Sequence, residues 1–396
     1  MPECVTLEPI RLPERFSCTR LEKEWLKKVI SKVLRKIDIM MERFGERFPF
    51  SASTNGKYEL IDNIEWTTGF WTGLLHLAYE YTADEKYRKL ADIHVTSFKE
   101  RIARKGKDVQ HHDLGFLYTL SCVASYKLTG NETAKQAALD AAAFLATRYL
   151  PKAGIIQAWG DLNDPEQQGR MIIDCNLNLP LLYWAAEAGG DGTYKDMAYR
   201  HVKCAQKHIV RSDASTFHTF YMDTESGAPK FGKTHQGKSD DSCWARGQAW
   251  GVYGFMLSYN YTKDASLLET VRRLAHYFLN RLPADLIPYW DLSIGEGSPE
   301  PRDSSSAAIV ACGLLEFLKY VPLSDPDRNL YERAVFSLVK NMDELYVSTD
   351  EAEDGILAHS TYALPQNLGI DEFCSWGDYY YFEALMRLHT VWQPYW

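Results

Sequence analysis

Apolar positions along this chain fall into two kinds of run, and the two kinds alternate. One kind is amphipathic, with charges gathered on one face: Leu21 to Phe44, Asp84 to Ile102, Glu132 to Tyr149, Tyr194 to Val210, Ala265 to Leu282 and Asp327 to Tyr346. In the fifth of these, Leu267, Leu268, Val271, Leu274, Ala275 and Phe278 recur at i, i+3, i+4 and i+7, the spacing of a helix with one buried stripe. The other kind is apolar and aromatic nearly all round and opens on small, polar or Trp residues: Trp66 to Glu80, Asp113 to Leu128, Asp174 to Glu187, Trp244 to Tyr259, Ser304 to Leu318 and Trp376 to Leu388. A helix with no polar face belongs inside a protein. No long alternating stretch competes with these readings, so the chain is predicted to be all-α.

The connectors Thr82-Ala83-Asp84-Glu85, Thr129-Gly130-Asn131-Glu132, Gly189-Gly190-Asp191-Gly192, Thr262-Lys263-Asp264-Ala265 and Leu323-Ser324-Asp325-Pro326 supply turn residues and N-cap acceptors between an inner run and the next outer one. Six amphipathic helices alternating with six apolar ones are best buried as a double-layered helical toroid, an (α/α)6 barrel. The alternative is an open solenoid of helix pairs. Trp392, Tyr395 and Trp396 suit a closed seam better than an exposed cap. No Pro/Ser-rich linker or low-complexity run interrupts the repeat, which predicts one domain over residues 1–396.

Composition narrows the function. Net charge is −9 and no Lys/Arg cluster interleaves with aromatics, which argues against nucleic acid as a partner. No segment approaches the ~18 consecutive apolar residues of a membrane span, and the N-terminus lacks the apolar core of a signal peptide, so a cytoplasmic enzyme is expected. Eight cysteines, at positions 4, 18, 122, 175, 204, 243, 312 and 374, show no CxxC spacing and read as reduced core residues. The eleven tryptophans have two uses in such a barrel: filling wide gaps between helices, or, for Trp66, Trp159, Trp244 and Trp250, lining a sugar-sized cleft.

Two acidic residues open neighbouring inner runs in what looks like the same local setting, Asp113 in His112-Asp113-Leu114-Gly115-Phe116 and Asp174 in Ile173-Asp174-Cys175-Asn176-Leu177. The first residues of inner helices point into the central funnel, so both carboxylates would face one pocket. The matched pair favours the catalytic reading, although either alone reads first as an N-cap. Met171-Ile172-Ile173, however, sets Asp174 against an apolar wall, which would raise its pKa toward that of a proton donor. His218 and the run Thr234-His235-Gln236-Gly237 are expected on irregular segments before the fourth inner helix, where binding groups gather, although a lone His also serves as a hydrogen-bonded structural residue. Arg246, with Trp244, Gly247 and Trp250 for company, is costly in an apolar wall unless an Asp or a ligand anion pairs with it. Adjacent histidines diverge on a helix and nothing here resembles HExxH, so His111-His112 does not point to a metal, and no cofactor is expected. Ser304-Ser305-Ser306 reads as a helix start rather than a nucleophile.

Together these runs resemble a known family, the unsaturated glucuronyl hydrolases of glycoside hydrolase family 88, from about Asn63 to the C-terminus. The marks are Trp66-Thr-Thr-Gly69-Phe-Trp-Thr-Gly73, His111-His112-Asp113-Leu-Gly-Phe, Met171-Ile-Ile-Asp174-Cys with Asn178-Leu-Pro-Leu-Leu-Tyr-Trp, Thr234-His-Gln236-Gly, Trp244-Ala-Arg246-Gly-Gln-Ala-Trp250 and Trp376-Gly-Asp378-Tyr-Tyr-Tyr. The resemblance implies an (α/α)6 barrel that removes the 4,5-unsaturated uronic acid from the non-reducing end of glycosaminoglycan oligosaccharides left by lyases. The implied chemistry is hydration of the C4=C5 vinyl ether, with Asp174 as general acid/base and Asp113 as the supporting carboxylate. It also implies that His112, His218, Gln236, Arg246, Trp250 and Trp66 surround the uronate, with Arg246 answering its carboxylate. Trp159 would be the platform for the next sugar and Tyr362 part of a loop over the pocket. Members that prefer sulfated disaccharides resemble one another in an Arg just before that Gln and in a late Ser-x-x-Ser-x-Lys run. Here these places hold His235 and Tyr362-Ala-Leu-Pro-Gln-Asn-Leu-Gly-Ile, which implies unsulfated or differently sulfated hyaluronan or chondroitin fragments.

Three rivals stand beside this reading: an unsaturated rhamnogalacturonyl hydrolase acting on pectin fragments, an inverting glycosidase using the two carboxylates as acid and base, and a non-catalytic sugar-binding toroid.

Overall fold

The computed structural model describes residues 7–396, and its helices follow the alternation of the sequence. The outer layer is α1 (Lys23–Phe44), α3 (Glu85–Arg104), α6 (Glu132–Ala146), α8 (Thr193–His208), α10 (Ala265–Leu279) and α12 (Arg328–Leu345). The inner layer is α2 (Thr68–Thr82), the pair α4 (Leu114–Tyr118) and α5 (Ala124–Thr129), α7 (Leu179–Glu187), α9 (Ala245–Thr262), α11 (Ser304–Leu318) and α13 (Ser375–His389). The periodicity explains the layering. α1 buries Leu26, Val29, Ile30, Val33, Ile37, Met40 and Phe44 along one stripe, whereas α9 is buried on every side from Ala245 to Ser258. Connector residues cap as expected: Asp84, Asn131 and Asp264 accept the N–H groups of Lys86, Ala134 and Ser266, and Asp191 accepts that of Thr193.

The inner helices pack in chain order round a ring, and α13 returns to α2. That last contact closes the toroid and excludes the open solenoid. Close approach depends on glycine at the crossings. A Cβ on Gly115 would lie 2.2 Å from the Asn178 Cα, and one on Gly254 would lie 2.5 Å from the Asn176 Cβ. One end of the ring is sealed by the aromatic segment read as a seam: Trp396 stacks on Tyr380 at 6.0 Å and donates its indole N–H to Glu383 at 2.9 Å. Trp392 and Tyr395 both donate to Glu80. Glu383 and Glu316 are themselves paired with the buried Arg387.

The structure departs from the sequence reading in three places. The second inner helix is broken by a π turn over Thr119–Val123. The third begins as a 3-10 turn, Ile173–Leu177, with α7 starting only at Leu179, so Asp113 and Asp174 do not share a local setting. The segment after His218, expected to be irregular, is a strand. Besides the two-residue ladders β1 (Phe48–Pro49) with β2 (Leu60–Ile61) and β3 (Tyr149–Leu150) with β4 (Ile155–Ile156), an antiparallel sheet joins β5 (Arg170–Ile172), β6 (Thr219–Met222) and β7 (Pro229–Lys233) in that order. Of the cysteines, Cys4 lies outside the described residues. The other seven are unpaired; five are buried, and Cys18 and Cys204 are half-buried rather than core. No helix among the described residues is long and apolar enough to cross a membrane.

Candidate active site

Two chain segments bring the carboxylates together. Asp113 stands at the N-terminus of α4, but its side chain caps nothing, which removes the N-cap reading. Asp174 follows β5 directly, and the Ile173 N–H, donated to the His218 carbonyl at 3.1 Å, ties its turn to the sheet. Asn178 links the two: its Nδ2 donates to the Asp174 carbonyl at 3.2 Å and its Oδ1 accepts the Phe116 N–H at 2.8 Å. His111 and His112 lie in the turn before α4, not on a helix, so they converge instead of diverging. His111 Nδ1 is 3.2 Å from one oxygen of Asp113, and His112 Nε2 is 3.3 Å from the other and 3.6 Å from Asp174 Oδ1.

These neighbours split the two carboxyls. Burial pushes Asp113 up, but His112, His111 and Asn178 outweigh it and hold the group below the usual aspartate range. Burial raises Asp174 well above that range, the charge of Asp113 adds to the rise, and its Oδ1 is buried without a hydrogen-bond partner. Both shifts act the same way, favouring the neutral form of Asp174 and the ionised form of Asp113. His112 is driven down to about 4 by burial and stays neutral. The donor atoms of His112, Asp113 and Asp174 lie within 4.8 Å of one another, a spacing that would also suit a cation, whose charge would ionise Asp174.

All ten residues expected at the site line one cavity of about 370 Å³: Trp66, His112, Asp113, Trp159, Asp174, His218, Gln236, Arg246, Trp250 and Tyr362. His218 is both structural and available. Its Nδ1 accepts the N–H groups of His235 at 3.1 Å and Gln236 at 3.3 Å, which leaves the proton on Nε2, and burial holds its pKa well below the ordinary value. Arg246 is committed to the protein. It pairs with Asp303 at 2.9 Å, both side chains being 1% exposed or less. It also donates to the carbonyls of Thr361 and Tyr362. It thereby fastens the loop whose Tyr362 hydroxyl accepts the Trp66 indole N–H at 2.9 Å. The sequence left open whether an Asp or a ligand anion paired with Arg246; Asp303 takes that place. Asp303 and Asn178 were not foreseen. A buried Arg demands an acid, and an Asp just before the Ser304 helix start was the available signal.

The sequence profile of Glycosyl Hydrolase Family 88 matches residues 37–312. The chain belongs to that family. The unsaturated chondroitin disaccharide hydrolase of Streptococcus pyogenes serotype M1 is 46% identical over 394 residues, covering 99% of this chain and 98% of the relative. The unsaturated glucuronyl hydrolase of Bacillus sp. strain GL1 is 46% identical over 357 residues, covering 90% and 94%. The crystal structure of the Streptococcus agalactiae unsaturated glucuronyl hydrolase superposes with a TM-score of 0.97 at 45% identity, covering 100% of this chain and 99% of that one. A mutant of that enzyme complexed with dGlcA-GalNAc6S gives 0.89 at 42% identity, with the same coverage. Family 88 membership thus agrees with the closed barrel built from the repeat.

Proposed function

We propose that this family 88 barrel is an unsaturated glucuronyl hydrolase that releases the 4,5-unsaturated uronate from the non-reducing end of glycosaminoglycan oligosaccharides. The observation that carries the reading is the buried Asp174 carboxyl, held above the usual aspartate range by burial and by the neighbouring Asp113, with an unpartnered oxygen in a cavity walled by Trp66 and Trp250. Asp174 gives its proton to C4, and charge develops at C5 and the ring oxygen. The resulting carboxylate takes a proton from the water that adds to C5. The C5 hemiketal opens to a ketone, and the hemiacetal left at C1 expels the next sugar. Asp113 holds Asp174 and the sugar hydroxyls, while His218 Nε2 and Gln236 are the donors facing the uronate. Arg246 serves through the loop it holds. The whole chain acts as one catalytic domain. The seven cysteines among the described residues, all unpaired, support a reducing, cytoplasmic setting. With His235 at the place where sulfate-preferring members resemble one another in carrying Arg, an unsulfated chondroitin or hyaluronan disaccharide is the better substrate.

Incubation with unsaturated chondroitin disaccharide in heavy water tests the reaction. Ultraviolet absorbance of the double bond should disappear, deuterium should enter at C4, and EDTA should leave the rate unchanged. Turnover of a saturated glucuronide, or an unlabelled C4, would reject hydration. Asp174→Asn should abolish turnover while retaining binding, which separates an enzyme from a sugar-binding toroid.

A further inference from the structure

Beyond the cavity, the wall formed by β5, β6 and β7 carries a cation that the reaction does not use. Arg170 is 8% exposed, yet it has no carboxylate partner among the described residues, and Nε, donating to the Tyr221 hydroxyl at 3.0 Å, is its one side-chain hydrogen bond. Its guanidinium lies between two rings, 4.8 Å from the centre of Trp159 and 5.4 Å from that of Tyr221. Its two terminal nitrogens have no hydrogen-bond partner among the described residues and reach solvent, so they are free to receive a ligand anion. The row continues outward. Tyr221 stacks at 4.9 Å on Phe231, which is 53% exposed. Lys233, two residues further along β7, shares the face of Phe231 and is in no ion pair among the described residues. The nearby Asp240 is turned to the Thr234 N–H at 2.8 Å. In a chain of net charge −9, this wall concentrates positive charge beside an exposed aromatic ring.

We propose that Arg170, Phe231 and Lys233 form an outer subsite for the third sugar of the substrate, whose carboxylate they receive. The inference rests on the proposed function. With the unsaturated uronate in the cavity and the second sugar at Trp159, the alternation of uronate and hexosamine in glycosaminoglycans places a second carboxylate beyond Trp159, next to Arg170. Phe231 offers that sugar an aromatic face, and the two cations attract its charge.

The test compares kcat/KM on unsaturated chondroitin disaccharide and tetrasaccharide. The tetrasaccharide should be preferred roughly five- to tenfold, as expected of a charge-assisted contact at a partly exposed site. The preference should shrink at high salt. Lys233→Glu and Phe231→Ser, both at exposed positions, should bring the ratio toward one while leaving disaccharide turnover unchanged. Arg170→Leu should also bring the ratio toward one, with any change through the Trp159 platform falling on both lengths alike. A tetrasaccharide with its third-residue carboxylate reduced to an alcohol should lose the preference in the native enzyme. Equal rates on both lengths, with good disaccharide turnover, would overturn the subsite alone. Absence of turnover on either length would instead sink the reading of the reaction. If Lys233→Glu lowered the rate on a 6-sulfated disaccharide and spared the tetrasaccharide, the wall would serve a sulfate on the second sugar and the assignment would fall.

Discussion

A carboxylic acid that must deliver a proton near neutral pH needs an environment that penalises its ionised form, and Asp174 has two. Burial supplies one and the Asp113 charge the other. The working state has Asp174 protonated and Asp113 ionised. The rate is therefore expected to fall on the acid side below the ordinary aspartate range, as Asp113 gains its proton, and on the alkaline side above that range, as Asp174 loses its own. Asp113→Asn removes the charge that raises Asp174, so the alkaline limb of kcat/KM should move to lower pH in whatever activity remains. An unmoved limb would show that the two groups are not coupled. The sequence disclosed this pair through matched positions at the head of neighbouring runs. The apolar approach Met171-Ile172-Ile173 and the family resemblance also mark Asp174 as the proton carrier; what escapes the sequence is the cause of the low Asp113 pKa, because His111 and His112 lie in a turn and not on a helix.

The elements were legible to the extent that their periodicity is long. α11 runs over Ser304–Leu318 as read, and the amphipathic helices differ from expectation mainly at their frayed ends. The sheet escaped because its strands are three to five residues long and β5 looks like an apolar approach to a helix. The π turn escaped because it leaves composition untouched. Contacts between elements make sharper predictions than the elements themselves. Gly115→Ala drives a Cβ into the Asn178 backbone, which cannot step aside, and should cost about 1–3 kcal/mol or more, read as a fall in Tm. Asp303→Asn leaves Arg246 buried without its counter-charge. It should destabilise by about 3–5 kcal/mol and loosen the Tyr362 loop, so that KM rises more than kcat falls. A normal KM would mean that the loop is held by other contacts.

At the scale of the molecule, closure of the ring does for the site what no single helix does. The return of α13 to α2 fixes the circumference, and the cluster under the ring fixes its floor. Trp250, at the base of the cavity, meets Phe116 at 5.3 Å and Tyr380 at 5.6 Å, and both rings rest on Trp396. Trp396→Ala should therefore cost about 3–5 kcal/mol in stability and also weaken substrate binding, although Trp396 touches no substrate. Unchanged binding in a folded variant would show that the floor is rigid without it.

That aromatic floor leaves the cavity with one doorway. In the binding mode proposed above, the sugar cut from the chain stands nearer the doorway than the uronate behind it, so the shortened oligosaccharide departs first. Ordered exit has a steady-state signature: the freed uronate should inhibit competitively against substrate, the shortened oligosaccharide non-competitively.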